Sequence, residues 1–462
     1  MRPFWIEDAL FIDGELAPAL QGAQSADICI VGGGFTGLWT AIQAKQHDPS
    51  LDIAIIESDL CGAGASGRNG GCLLTWSAKF FTLQRLFGAA EAVRLIKASE
   101  AAVGHIERFC DEHHIDAELR RDGTLYTATS RAQVGGLEPV MRALSSHGIH
   151  SYEAQSPVDV MRRSGSARNL AGVYSPVAAT VHPGKLVRGL RRAAQSMGVR
   201  IYERSPMLSF EAGPPVRVHT PCGSLEARKM VLAINAWMAS TFPQFERTIA
   251  IVSSDMVITE RCPDLLRRTG LVDGVSVLDS RTFVYYYRNT ADGRLMLGKG
   301  GNTFSWGGRI APVFDRRSPY EASLTRALHE FFPSLQKVPI TASWNGPSDR
   351  SVTGLPFFGK FDGAPHISYG FGYSGNGVGP TYMGGQILSS MALDLDNAWT
   401  RSPITRGPLG RFPPEPLRYM GSIMVRNAIR RKERAEDADR EPWLFDRMLS
   451  RLANAAGKSD KA

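Results

Sequence analysis

The sequence predicts an α/β chain, α+β overall: a doubly wound parallel-sheet domain with an antiparallel or mixed sheet domain inserted into it. Three observations carry this. Residues 27–57 read as strand, glycine turn, helix, strand and acid. A second strand, glycine turn and helix follow at 366–394. Between them, 249–306 is rich in β-branched and aromatic residues with turn punctuation. Sheet-forming segments of α/β type at both ends of the body, with antiparallel material between, imply a nucleotide domain built from separate segments. The division read here is 1–80, 150–240 and 345–400 for the nucleotide domain, 81–149 and 241–344 for the substrate domain, and 401–462 for a basic helical extension.

In chain order, a lead-in carries Phe4, Trp5, Phe11 and Ile12, expected to pack onto the body. The apolar run Ile28–Val31 is followed by Gly32-x-Gly34-x-x-Gly37, which opens a helical run. Glu57 closes a second apolar run twenty residues past the last glycine. In that context the glycines permit a tight turn and close backbone approach to a pyrophosphate. The helix N-terminus supplies partial positive charge, and the acid suits a ribose diol. Phe35 and Thr36 lie within the same turn. Apolar residues recur at three- and four-residue steps over 88–110, predicting a helix, and 182–198 reads as another, opened by His182-Pro183-Gly184. Strands are expected near 123–128, at 199–202, 216–220 and 224–234, the last leading to Asn235. Thr282–Arg288 and Arg294–Gly298 flank Asn289–Gly293, a hairpin signal. Residues 321–332 give a short helix.

Two further glycine clusters decide which dinucleotide fits. Ser66-Gly67-Arg68-Asn69-Gly70-Gly71 leaves backbone donors open and adds side-chain donors, suited to a second phosphate contact or a flavin edge. Gly370-Phe-Gly372-Tyr-Ser-Gly375-Asn376-Gly377-Val378-Gly379 precedes another helix N-terminus. A nicotinamide site has no need of that; a flavin does, because its pyrimidine ring gains negative charge on reduction. FAD is therefore expected rather than NAD, in a Rossmann-like FAD-binding domain.

Composition bounds the rest. The 462 residues are 43% hydrophobic and 21% charged, as in globular proteins. No apolar run reaches membrane-span length, and no signal-peptide core opens the chain, so a cytoplasmic location is expected. The six cysteines show no metal-like spacing, and no metal site is expected. Cys72, near the expected flavin, reads as a free thiol or a covalent link. Most of the net charge of +8 lies beyond Arg401. The near-neutral body argues against nucleic acid; the basic tail reads as a solvated helix pair or as a membrane-surface or partner contact.

Over roughly 25–395 the chain resembles the D-amino-acid-oxidase-type flavoprotein superfamily, the group of glycine oxidase and sarcosine oxidase. Gly64–Gly71, His182–Leu186, Ala233–Trp237, Asp292–Arg294 with Gly298–Gly301, and Glu415–Arg418 with Gly421 are similar to the γ-glutamylputrescine oxidoreductase subgroup, with aminophosphonate oxidoreductases nearby. The resemblance implies oxidation of a C–N bond: hydride passes to the flavin, the imine hydrolyses, and O2 becomes H2O2. It implies Gly32, Gly34 and Gly37 at the pyrophosphate, Glu57 at the adenosine ribose, Met207 near adenine, Ser66, Arg68, Asn69 and Gly71 near phosphate and flavin, and Gly375 and Gly377 at the pyrimidine end. One departure is Met296, where sarcosine oxidases hold a lysine that helps oxygen react; Lys299 is nearby but alternates to the other strand face. A dehydrogenase passing electrons to a quinone or carrier, or a non-catalytic FAD-binding protein, are the other readings.

For a small amine substrate, the candidates are Arg288 as a fork for an anionic group, Arg350 as a residue that reaches the flavin's face, Tyr285 and Tyr287 as an aromatic wall for an ammonium, and Lys299 for oxygen. His182 reads as structural, and His113 and His114 as a solvated helix end.

Overall fold

Ile53–Ile56 and the end of Gly22–Val31 are apolar at consecutive positions, so both faces of these strands must be covered, as in a parallel sheet. In the computed structural model they are its centre. The strand order is Phe357–Phe361, Ala364–Phe371, Gly223–Leu232, Gly22–Val31, Ile53–Ile56 and Arg200–Tyr202. All neighbours are parallel except the first two. Ser209–Glu211 and Val216–Thr220 add an antiparallel ribbon beside Gly223–Leu232. Helices Phe35–His47, Pro183–Ser196 and Pro380–Ala392 share one core with this sheet; Phe242, Phe245 and Phe371 belong to a second core with its other residues. The structure describes residues 2–14, 16–453 and 459–460.

The second sheet runs Ile340–Ser351, Ile249–Thr259, Leu295–Phe304, Tyr285–Asn289, Ser276–Asp279, Thr124–Ala128, Ala171–Ser175 and Glu153–Ala154. It is antiparallel except where Ser276–Asp279 pairs parallel with Thr124–Ala128, so it is mixed. The hairpin expected around 289–293 forms with Arg288 opposite Met296 and Tyr286 opposite Gly298. Gly293 takes φ +82°, the left-handed conformation the turn requires.

Several expectations need correction. Strands Glu153–Ala154 and Ala171–Ser175 fall in a segment read as nucleotide domain, yet they pair in the second sheet. Ile340–Ser351 crosses the expected boundary at 345, because its partner is the long strand Ile249–Thr259. Short, partly buried strands carry too little pattern to reveal their sheet. The lead-in is a helix, Phe4–Ile12, that buries Trp5 but leaves Phe11 and Ile12 exposed. The basic extension contains helices Leu417–Asp437 and Leu444–Arg451; its residues 454–458 and 461–462, like positions 1 and 15 of the first segment, lie outside the described residues. Among the described residues no helix is long and apolar enough to cross a membrane.

Candidate functional site

Three glycine turns converge on one cavity of about 670 Å³. That volume lies within the range of cofactor pockets. The first turn begins where Gly22–Val31 ends. Gly32 sits at φ +111°, and a Cβ there would lie 2.6 Å from the Ala233 carbonyl oxygen. Gly34 precedes helix Phe35–His47 and faces the cavity with Phe35 and Thr36. Gly37 is different: a Cβ would meet the Gly32 carbonyl at 2.0 Å, and the residue is absent from the cavity wall. It serves the packing of the helix against the turn. Glu57 lines the cavity and accepts hydrogen bonds from the Gly33 N–H at 2.8 Å and the Asp59 N–H at 3.0 Å. Burial raises its pKa against those donors.

In the second cluster the Ser66 hydroxyl accepts from the Phe35 N–H at 2.8 Å, tying this loop to the helix N-terminus. Ser66, Arg68, Asn69 and Gly70 line the cavity, while Gly67 and Gly71 do not. Gly67 makes room for Ile6, and Gly71, at φ +70°, for the Val181 carbonyl. Arg68 donates to the Ala63 and Asn345 carbonyls and to Asp315. Asn69 donates to the Ser66 carbonyl and accepts from the Gly71 N–H. Both therefore fix the loop as well as facing the cavity. Met207 and Asn235 line the cavity.

The third cluster holds Gly375, Gly377 and Val378 against the cavity; Gly372 and Asn376 are not on its wall. Sequence reading missed what grips it. The Asp349 carboxylate accepts from three successive backbone N–H groups: Gly372 at 2.5 Å, Tyr373 at 3.1 Å and Ser374 at 3.2 Å. Asp349 is buried, and burial pushes its pKa up to about 6. Arg350 lines the same wall and donates to the Ser374 carbonyl at 2.6 Å. Burial lowers its pKa while the neighbouring Asp349 acts the other way.

Of the substrate candidates, Arg350 alone faces the cavity. Arg288 shares a strand face with Tyr286 but is not on the cavity wall. Its guanidinium donates to the carbonyls of Gly70 (2.7 Å), Val181 (2.7 Å) and Asn289 (3.1 Å) and lies 5.1 Å from the Trp5 ring centre. Three carbonyls and an indole leave it an anchor for the second cluster rather than an anion fork. Tyr287 is buried against Phe331 and Phe332, with its hydroxyl bonded to Asn169 and the Ser164 carbonyl. Lys299 donates to the Phe283 carbonyl at 2.9 Å over the Tyr285 ring, and burial lowers its pKa to about 8. The aromatic residue of this hairpin that lines the cavity is instead Tyr286, whose hydroxyl pairs with Ser254 at 2.9 Å. Two glycines admit its ring: a Cβ on Gly298 or Gly70 would lie 2.3 or 2.5 Å from it. A tyrosine facing a glycine across the 289–293 turn is the sequence signal that would have identified it.

The cavity fits a flavin dinucleotide on its own terms. Cβ atoms are missing where the backbone turns. Asn235 Oδ1 and Ser348 Oγ are buried at its wall with no partner among the described residues, so both are set to bond a ligand. Two helix N-termini, at Gly34 and Gly379, open beside it.

Comparison with known proteins agrees. The family model described as FAD dependent oxidoreductase (DAO) matches residues 27–391. The chain is 28% identical over 411 residues to γ-glutamylputrescine oxidoreductase of Escherichia coli K12, covering 87% of this chain and 92% of that protein. It is 29% identical over 405 residues to the probable oxidoreductase OrdL of Rhizobium meliloti, covering 84% and 88%. The crystal structure of glycine oxidase from Geobacillus kaustophilus superposes with a TM-score of 0.68 at 21% identity, covering 83% of this chain and 98% of that one. The chain belongs to the DAO family of FAD-dependent oxidoreductases.

Proposed function

We propose that the protein oxidises the C–N bond of a small amine or amino acid bearing an anionic group, an aminophosphonate among the candidates. The observation that carries this reading is the wall where Tyr286, Ser254 and Arg350 meet the third glycine turn. An aromatic face suits an ammonium, and a buried guanidinium suits a carboxylate or phosphonate. FAD, when bound, supplies a two-electron hydride acceptor. Gly32, Gly34, Ser66 and Asn235 would hold its phosphates and adenosine side, Glu57 its ribose, and Gly375, Gly377 and Val378 its ring system. The chain then has to orient the amine, with the carbon next to nitrogen towards the flavin, and to exclude water until the imine forms. Hydrolysis of the imine gives a carbonyl compound and ammonia or a smaller amine. The relatives' names support the substrate class: one is a γ-glutamylputrescine oxidoreductase and another a glycine oxidase.

We take O2 as the electron acceptor, reduced to H2O2. A second reading has electrons passing to a quinone or protein carrier. Lys299 favours it: its ammonium is held away from the cavity, and among the described residues no lysine lines the wall. Turnover of a panel of amines, amino acids and aminophosphonates under air, with carbonyl product and peroxide both measured, separates the two. One peroxide per carbonyl supports the oxidase. Carbonyl formed only with an artificial acceptor, and no peroxide, supports the dehydrogenase. No carbonyl from any member under either condition counts against both.

A further inference from the structure

Helix Leu444–Arg451 is built inside out. At about 100° per residue, Leu444, Met448, Leu452 and Phe445 fall within about 100° of one another on its surface. They are 77%, 64%, 75% and 48% exposed, and Trp443 at the helix entry is 75% exposed. The face that packs inward is polar. Asp446 and Ser450 are buried, and the Asp446 carboxylate takes Arg431 of helix Leu417–Asp437 at 2.6 Å. Arg447 and Arg451 project between these faces, beside Leu444. On the neighbouring helix Leu417, Met420 and Met424 are also exposed, and Arg431, two turns on from Met424, is where the second helix docks. Apolar burial drives folding, so a chain that turns polar residues inward and a Trp–Leu–Phe–Met face outward has placed that face for a partner.

We propose that this helix pair is a peripheral docking face for an anionic lipid surface. Charge selects the occupant. Arg434, Arg447 and Arg451 make no ion pair with any described residue, whereas the exposed Asp437 and Asp439 are paired with Arg281 and, at 3.8 Å, Arg131, leaving Glu441 as the nearby exposed acid with no ion pair to a described residue. A second copy of this chain would bring the same basic rim against itself. An apolar face flanked by arginines, with a tryptophan at its edge, matches a helix lying in the headgroup layer of an anionic membrane. Helix Leu417–Asp437 also contacts a residue of the cavity wall: Glu433 accepts from the Thr282 N–H at 3.1 Å, and Thr282 lines the cavity. The docking face and the flavin site are thus joined through one helix.

Co-sedimentation of the FAD-loaded full chain with vesicles of phosphatidylcholine alone or mixed with phosphatidylglycerol tests this. Roughly tenfold or greater partition onto the anionic vesicles is expected, weakened by high salt. The triple variant Leu444→Ser, Phe445→Ser, Met448→Ser alters exposed positions only, so flavin content is retained while vesicle binding is lost. The double variant Arg447→Glu, Arg451→Glu loses the anionic preference. Equal partition onto both vesicle types, or anionic binding that survives both variants, overturns the proposal. So does a wild-type dimer in sedimentation velocity that the triple variant converts to monomer, which assigns the face to a second copy.

Discussion

Glycine 34 and Asp349 show how single residues set the cofactor site. A Cβ on Gly34 would lie 2.9 Å from Ser66 Oγ, and a valine would add branches into the cavity where we propose that the backbone approaches a pyrophosphate. Gly34→Val is expected to leave the circular-dichroism spectrum intact and cut FAD retained through gel filtration by roughly tenfold or more. Unchanged retention removes the first turn from the site. Asp349 makes a pH prediction. Its folded-state pKa, about 6, lies above the ordinary aspartate value. Between roughly pH 4 and 6 the folded protein therefore holds the proton more tightly than the unfolded chain, and stability contributed by this group falls as pH rises through that window. Melting temperatures of the wild type relative to Asp349→Asn should fall from roughly pH 4 to 6 and level off above. A difference that does not change with pH shows that Asp349 does not titrate there.

The hairpin Tyr285–Asn289 with Leu295–Phe304 shows what an element decides beyond its residues. Its existence was legible from Asn289–Gly293, and so was the alternation of its side chains. The direction of that alternation was not. Which face of Tyr285-Tyr286-Tyr287-Arg288 meets the cavity depends on pairing with Gly298 and on the approach of Gly70, which only the assembled sheet fixes. Hence Tyr287 was expected at the substrate and Tyr286 was overlooked; Arg288 shares the Tyr286 face, but the carbonyls of Gly70 and Val181 hold it off the cavity wall. The two arginines now part in behaviour. Arg288→Met leaves buried carbonyls of Gly70 and Val181 unpaired, at a cost of about 3 kcal/mol in stability with little change in selectivity among amines. Arg350→Met is expected to raise KM for anionic amines about tenfold over neutral ones. A loss of selectivity from Arg288→Met, with none from Arg350→Met, reverses the assignment.

At the scale of the whole molecule, the nucleotide domain was the most legible part because its signals are local. A glycine turn, a helix start and an acid at a fixed spacing each constrain one short segment. The second sheet was legible as a composition but not as a topology, since Glu153–Ala154 and Ala171–Ser175 join it from between two nucleotide-domain segments. The Asp349 clamp was invisible for the same reason: it acts across two strands, and nothing in the run Ser348-Asp349-Arg350 marks it. Family membership supplies the FAD; the cavity wall supplies the case for an amine. Anaerobic mixing of the FAD-loaded protein with a panel of small amines, amino acids and aminophosphonates tests that case directly. Loss of oxidised-flavin absorbance with at least one anionic amine, restored when an electron acceptor is admitted, is the predicted result; a flavin that stays oxidised with every amine while a chemical reductant bleaches it would contradict the account.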